Sequence, residues 1–177
     1  KETAMKCLLP MTASLILAVL MQSDVRGQES DAPPEMKALE RLVGTWDHEQ
    51  IVKVPEETRS TNFVVKKELV LGGRFVQETG NFDDKWKPNF TGMYTYDSNR
   101  KTYRYWFFLS SGFYTESTGN WDESRQTLTF TNRLQGGTTG VTTLRFSDET
   151  TFVYSVVGTD PGGKVTYHME GRAVRQK

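Results

Sequence analysis

The chain has 177 residues, the span of one domain, and its 36% hydrophobic and 12% aromatic content is enough to build a core. Lys plus Arg and Asp plus Glu are equal at 22 each, so no global field draws in a polyanion. Without a basic excess or a basic stripe, nucleic acid is not expected as a partner.

Met5-Lys6 reads as a start with a short positive region, preceded by an extraneous Lys1 to Ala4. The run Leu8 to Leu20 is apolar apart from Pro10 and a few small residues, and Val25-Arg26-Gly27 ends on a small residue. That order is the order of a secretory signal, so residues 1–27 are expected to be removed on export to the periplasm or the medium. The apolar run is shorter than the roughly 20 residues that cross a bilayer, and no membrane span is expected in the mature chain. Cys7, the single cysteine, precedes the apolar run, whereas a lipid-attachment cysteine follows one. Cleavage after Gly27 leaves no cysteine for a disulfide, a thiolate ligand or a nucleophile. Cleavage also takes away Lys1, Lys6, Arg26, Glu2 and Asp24, leaving 19 basic and 20 acidic residues.

Residues 28–34 are polar, carry Pro33-Pro34 and read as a flexible lead; residues 35–177 form one domain. Met36, Leu39, Leu42 and Val43 recur at helical spacing, and Pro34 suits a first turn, so one short helix is expected over Glu35–Val43. From Gly44 the period changes to two, and Val, Thr, Tyr, Phe and Trp dominate. Turn residues punctuate the chain at Gly72-Gly73, Asp97-Ser98-Asn99, Asp122-Glu123-Ser124, Gly136-Gly137, Asp148-Glu149 and Asp160-Pro161-Gly162-Gly163. Strands are expected at Trp46–Val54, Thr58–Leu71, Arg74–Phe82, Phe90–Asp97, Lys101–Leu109, Phe113–Trp121, Thr127–Leu134, Val141–Phe146, Thr151–Val157 and Val165–Val174. Even spacing, tight turns and no intervening helix predict an all-β antiparallel meander of about ten strands closed into a barrel, with a sandwich as the alternative. Closure removes the exposed edges that such strands would otherwise present.

Alternation assigns faces. Phe90, Tyr94 and Tyr96 share one face of their strand, and Tyr103, Tyr105, Phe107 and Leu109 share one face of the next. These faces are expected to point inward, with Tyr94, Tyr96, Tyr105 and Phe107 as candidate ligand-binding residues. Whether they fill the core or wall a cavity stays open: a buried tyrosine hydroxyl needs a partner, which a ligand, water or a backbone carbonyl can supply. Trp106 and Phe108 then face outward with Arg104, under the helix or at an interface.

The stretch Leu42-Val43-Gly44-Thr45-Trp46 resembles the opening of calycin barrels, the lipocalin superfamily. The resemblance implies structural roles for Gly44 and Trp46, with Arg175, or alternatively Arg172, packed on the indole at one barrel end. A guanidinium over an indole gains cation–π energy while covering an apolar ring. A wider set of residues is similar to the bacterial family called domain of unknown function 1579. It comprises Leu39, Leu42, Gly44-Thr45-Trp46, Leu71-Gly72-Gly73-Arg74-Phe75, Gly92-x-Tyr94-x-Tyr96-Asp97, Tyr103, Trp106, Gly119-Asn120-Trp121-Asp122 and Arg175. That family implies an exported bacterial β-barrel and brings no known activity; Arg172-Ala173-Val174-Arg175 departs from a frequent Tyr before the closing Arg.

His48 and His168 are the two histidines, and they fall on the first and last strands, which are neighbours in a closed barrel. The pair is a candidate ligand-binding or metal-binding constellation with Glu49 or Glu170; otherwise both are ordinary polar strand positions. His168-Met169 with Arg175 also resembles the last strand of nitrobindin-type haem barrels, in which one His ligates iron, but the first strand lacks the further glycines of that pattern. No cofactor and no catalytic residue are expected. There is no Gly-x-Ser-x-Gly, Ser110-Ser111-Gly112 reads as a hairpin turn, Asp83-Asp84 as solvated turn chemistry, and Asp160-Pro161-Gly162-Gly163 lacks a phosphate-loop context. The expected function is binding of a small apolar partner molecule in an aromatic interior, or alternatively a surface interaction module around a filled core. Fold alone decides neither.

Overall fold

The computed structural model describes residues 32–177 apart from residue 55 and residues 83–88. The expected signal segment at 1–27, the first part of the polar lead and Asp83-Asp84 therefore lie outside the described residues. The chain runs through helix α1 (Met36–Glu40) and strands β1 (Gly44–Val54), β2 (Glu57–Val70), β3 (Phe75–Gly80), β4 (Phe90–Asp97) and β5 (Thr102–Leu109). It continues through β6 (Tyr114–Asp122), β7 (Thr127–Arg133), β8 (Thr139–Phe146), β9 (Thr151–Thr159) and β10 (Val165–Arg175). Each strand pairs antiparallel with the next, and β10 returns to β1, so the sheet closes into the expected ten-stranded barrel.

The departures from expectation are local. The helix is shorter than Glu35–Val43, because Leu42 N–H and Val43 N–H bond back to the Leu39 and Glu40 carbonyls as tight turns before the strand begins. β3 starts only at Phe75, since Leu71, Gly72 and Gly73 all adopt left-handed backbone and Arg74 N–H closes the turn on Leu71 O. No helix among the described residues is long and apolar enough to cross a membrane.

The helix plugs one end of the barrel. Met36, Leu39 and Leu42 pack into a fully buried cluster with Trp46, Val76, Leu128, Phe130 and Phe152. Full burial of each large side chain contributes about 1.5–3 kcal/mol, so this end carries much of the fold's stability. Burial falls towards the other end, the mouth. There the inward-facing Phe63, Phe107, Tyr154, Val156, Tyr167 and Met169 are only partly buried. The interior is thus filled at the helix end and reached by solvent at the mouth.

Trp106 and Phe108 do face outward, but not under the helix. Arg104 lies 5.0 Å from the Trp106 ring and is paired with Glu116, and Phe108 is 40% exposed beside Tyr114 on the outer wall.

Candidate functional site

At the filled end, Arg175 and Trp46 face each other across the β1–β10 pair. The guanidinium carbon lies 4.5 Å from the indole centroid, and the three guanidinium nitrogens bond the carbonyls of Val43, Arg41 and Glu149. Trp46 Nε1–H donates to Leu42 O at 2.7 Å, so the buried indole keeps its polar group satisfied. Gly44 is what lets the arginine in. Its φ is +136°, and a Cβ there would come within 2.9 Å of the Arg175 Nη1 atom.

Midway along the barrel lies a polar floor that the sequence reading did not single out. Lys67 of β2 and Glu78 of β3 form an ion pair, 3% and 4% exposed respectively. Tyr105 O–H donates to Glu78 Oε1 at 2.6 Å, and the Tyr105 ring stacks on Tyr94 with centroids 4.1 Å apart. The Lys67 ammonium sits 5.3 Å from the Tyr94 ring. Gly92 gives these groups their space, since a Cβ would meet Glu78 Oε1 at 2.6 Å and the Tyr105 ring at 2.9 Å. Burial and the Glu78 charge raise the hydroxyl pKa of both Tyr94 and Tyr105 well above the usual tyrosine range, so both stay protonated. The signal was present in the alternation: Lys67 shares a face with Val65, and Glu78 with Val76.

Above this floor the mouth half is walled by aromatic rings. Phe63 and Phe82 approach edge to face at 4.7 Å, Phe82 stacks on Phe90 at 4.4 Å, and Phe90 meets Phe107 at 5.5 Å. His48 stacks on Phe63 at 4.9 Å and touches Tyr154 at 5.4 Å. Both ring nitrogens of His48 are buried without a hydrogen-bond partner among the described residues. Burial, aided by the nearby Lys67 ammonium, holds its pKa down at about 3, so the imidazole is neutral at pH 7. Thr61 Oγ1 and Asn132 Oδ1, which also face inward at the mouth half, are buried and unpartnered too. Gln50 is level with Thr61 across the β1–β2 pair and accepts the Tyr154 hydroxyl at 3.1 Å.

Of the candidate ligand-binding residues, His48 is the one left with unpartnered polar atoms, and the tyrosines are not. Tyrosine hydroxyls find protein partners: Tyr103 donates to Glu35 O, Tyr105 to Glu78 and Tyr154 to Gln50. Tyr94 and Tyr105 form the floor, and Phe107 belongs to the mouth wall. Tyr96 packs at the helix end against Tyr103, 5.0 Å between centroids, away from the mouth.

His168 is on β10, next to β1, but it does not meet His48. His48 is level with Ala173, whereas His168 is level with Lys53, five positions further along β1. An odd offset puts the two imidazoles on opposite faces of the sheet. His168 points outward, where Nε2 lies 3.9 Å from Glu170 and the ring lines a recess of about 310 Å³ with Lys53, Val54 and Tyr167. The candidate histidine pair is not formed, and His168 of β10 does not enter the interior for the nitrobindin-like alternative. Among the described residues no three His, Cys, Asp or Glu side chains gather as metal ligands.

A larger hollow, about 750 Å³, lies against the outer face of β1, β2 and β8–β10. Its outward-facing lining mixes Arg145 and Arg172 with Glu49 and Glu170, and none of the buried unpartnered atoms faces it. Apart from Arg104 Nε on the outer wall, the buried unpartnered atoms among the described residues are inside the barrel.

Comparison with solved structures places the fold among known barrels. An S-type phycobiliprotein lyase, CPES, from Guillardia theta is similar over 84% of this chain and 95% of its own, with 11% identity and a TM-score of 0.57. Rv2717c from M. tuberculosis is similar over 83% of this chain and 100% of its own, with 16% identity and a TM-score of 0.58. At these identities the likeness shows the fold alone. No curated protein matches the sequence. The family model described as "Protein of unknown function (DUF1579)" matches residues 31–175, nearly all of the barrel and its helix, and the chain belongs to that family.

Proposed function

We propose that this barrel is an exported binding protein that takes a small, mostly apolar molecule into the mouth half of its interior. The observation that carries the reading is His48. Leaving both nitrogens of a buried imidazole unpaired costs about 1–3 kcal/mol for each group, so such a site is retained where another group completes it. The rings of Phe63, Phe82, Phe90 and Phe107 offer apolar contact on the same side, and partial solvent exposure of the mouth residues gives a way in. The structural likeness to a phycobiliprotein lyase is in keeping with a small-molecule ligand. Export rests on the signal-like order of residues 1–27.

A fluorescence titration with N-phenyl-1-naphthylamine, an uncharged apolar probe, tests the reading. Saturable binding weakened by Phe63→Ala and by Phe107→Ala supports it. A second reading, a surface interaction module, is favoured by Phe108, Phe113 and Tyr114, which are 40%, 47% and 67% exposed on the β5–β6 hairpin. Probe binding lost in Phe108→Ser/Tyr114→Ser but kept in the interior variants would favour that face instead.

A further inference from the structure

Among the described residues, each charged group inside the barrel is engaged by a protein partner, and this limits what the interior accepts. Register and alternation place Lys67 and Glu78 inward, one of each sign and paired with each other. Arg175 is used up at the filled end by Trp46 and three backbone carbonyls. At the rim, Arg59 is paired with Glu57 in solvent. The other described inward positions of the mouth half are uncharged: His48, Gln50, Thr61, Phe63, Phe90, Phe107, Asn132, Thr142 and Tyr154 among them.

We infer that the site, if it binds as proposed above, selects uncharged amphiphiles whose head is a hydroxyl, carbonyl or amide, and rejects carboxylates and ammonium groups of the same shape. The inference rests on the interior-site reading and adds the ligand's charge to it. The neutral His48 ring has one donor and one acceptor nitrogen, and Gln50, Thr61 and Asn132 add neutral amide and hydroxyl groups. This set suits a head that both gives and takes hydrogen bonds. A carboxylate entering the mouth half would shed its water without meeting a free cation among the described inward-facing residues, because the Lys67 charge is already neutralised by Glu78. An ammonium would meet no free anion among the same described residues, because Glu78 is held by Lys67. The floor thus acts as a charge filter although it presents two charges.

A matched set of naphthalene probes tests this on the full barrel at pH 7: 2-naphthamide, 2-naphthalenemethanol, 2-naphthoate and 2-naphthylmethylammonium. The amide and the alcohol are expected to bind at least tenfold more tightly than either ion. Thr61→Lys places a free cation on the mouth wall, where Thr61 is only partly buried, and is expected to raise naphthoate affinity at least tenfold. Naphthoate or the ammonium binding the parent protein within tenfold of the amide would overturn the charge inference and leave the interior site standing. An unchanged naphthoate affinity in a Thr61→Lys protein that retains the parent near-ultraviolet circular dichroism would overturn it as well. Failure of all four probes, together with N-phenyl-1-naphthylamine, would remove the interior site itself.

Discussion

The Arg175 guanidinium lies 4.5 Å from the Trp46 indole centroid, directly beside a glycine, Gly44, whose missing side chain makes the approach possible. The last strand is thereby fastened to the first at the helix end of the barrel. Trp46 is fully buried, so Trp46→Ala is expected to cost about 3–5 kcal/mol in denaturant unfolding. Gly44→Ala should also destabilise, because φ at +136° is strained for any L side chain and the Cβ would press on Arg175. A melting curve unchanged by Trp46→Ala would show that the indole is not holding this end.

The Lys67–Glu78 pair is buried, and one partner without the other is expensive. Glu78→Gln should destabilise by about 3–5 kcal/mol, whereas Lys67→Met/Glu78→Leu should recover much of that loss. A double-mutant cycle measures the coupling, and additive single effects would mean that the two groups do not interact.

His48 gives a stability-against-pH signature with a defined sign. Its pKa is lowered from 6.5 to about 3 on folding, so between those values the unfolded chain binds one proton that the folded chain does not. Stability therefore rises with pH through that window and gains nothing further from His48 above about 6.5. The expected slope from this group is about 1.4 kcal/mol per pH unit between pH 6 and 4. Carboxylates contribute to the acid limb too, so the comparison is with His48→Gln, which should lose that part of the slope. Parallel profiles for the two proteins would contradict a buried neutral imidazole.

Export predicts cleavage between Gly27 and Gln28. The intact mass of protein recovered from a bacterial periplasm or medium checks it: a chain beginning at Gln28 is expected, and one retaining Met5 would count against export.

Much of the barrel was legible because its alternation is strict. Phe90, Tyr94, Tyr103, Tyr105 and Phe107 announce their faces by a period of two, and paired turn residues mark most strand ends. The helix ends earlier than its spacing predicts because Leu42 and Val43 keep helical spacing while bonding as turns. His48 and His168 were both visible as polar strand residues. That they lie on opposite faces depends on the β1–β10 register, which joins the two ends of the barrel and which no local pattern encodes. Lys67 and Glu78 are hidden in the sequence for a different reason. Charged residues usually mark an outer face, and only the pairing of β2 with β3 shows that each neutralises the other inside. The orphaned state of His48 is likewise a property of its surroundings, not of its neighbours in sequence.

The central claim is that a small molecule enters the mouth half and meets His48. The sequence holds two histidines, one facing in and one facing out, so a ¹⁵N imidazole spectrum carries its own control. Titration with 2-naphthalenemethanol is expected to move the His48 ring-nitrogen resonances saturably while those of His168 stay in place. A His48 signal unmoved at probe concentrations that saturate the protein, or movement confined to His168, would contradict the account.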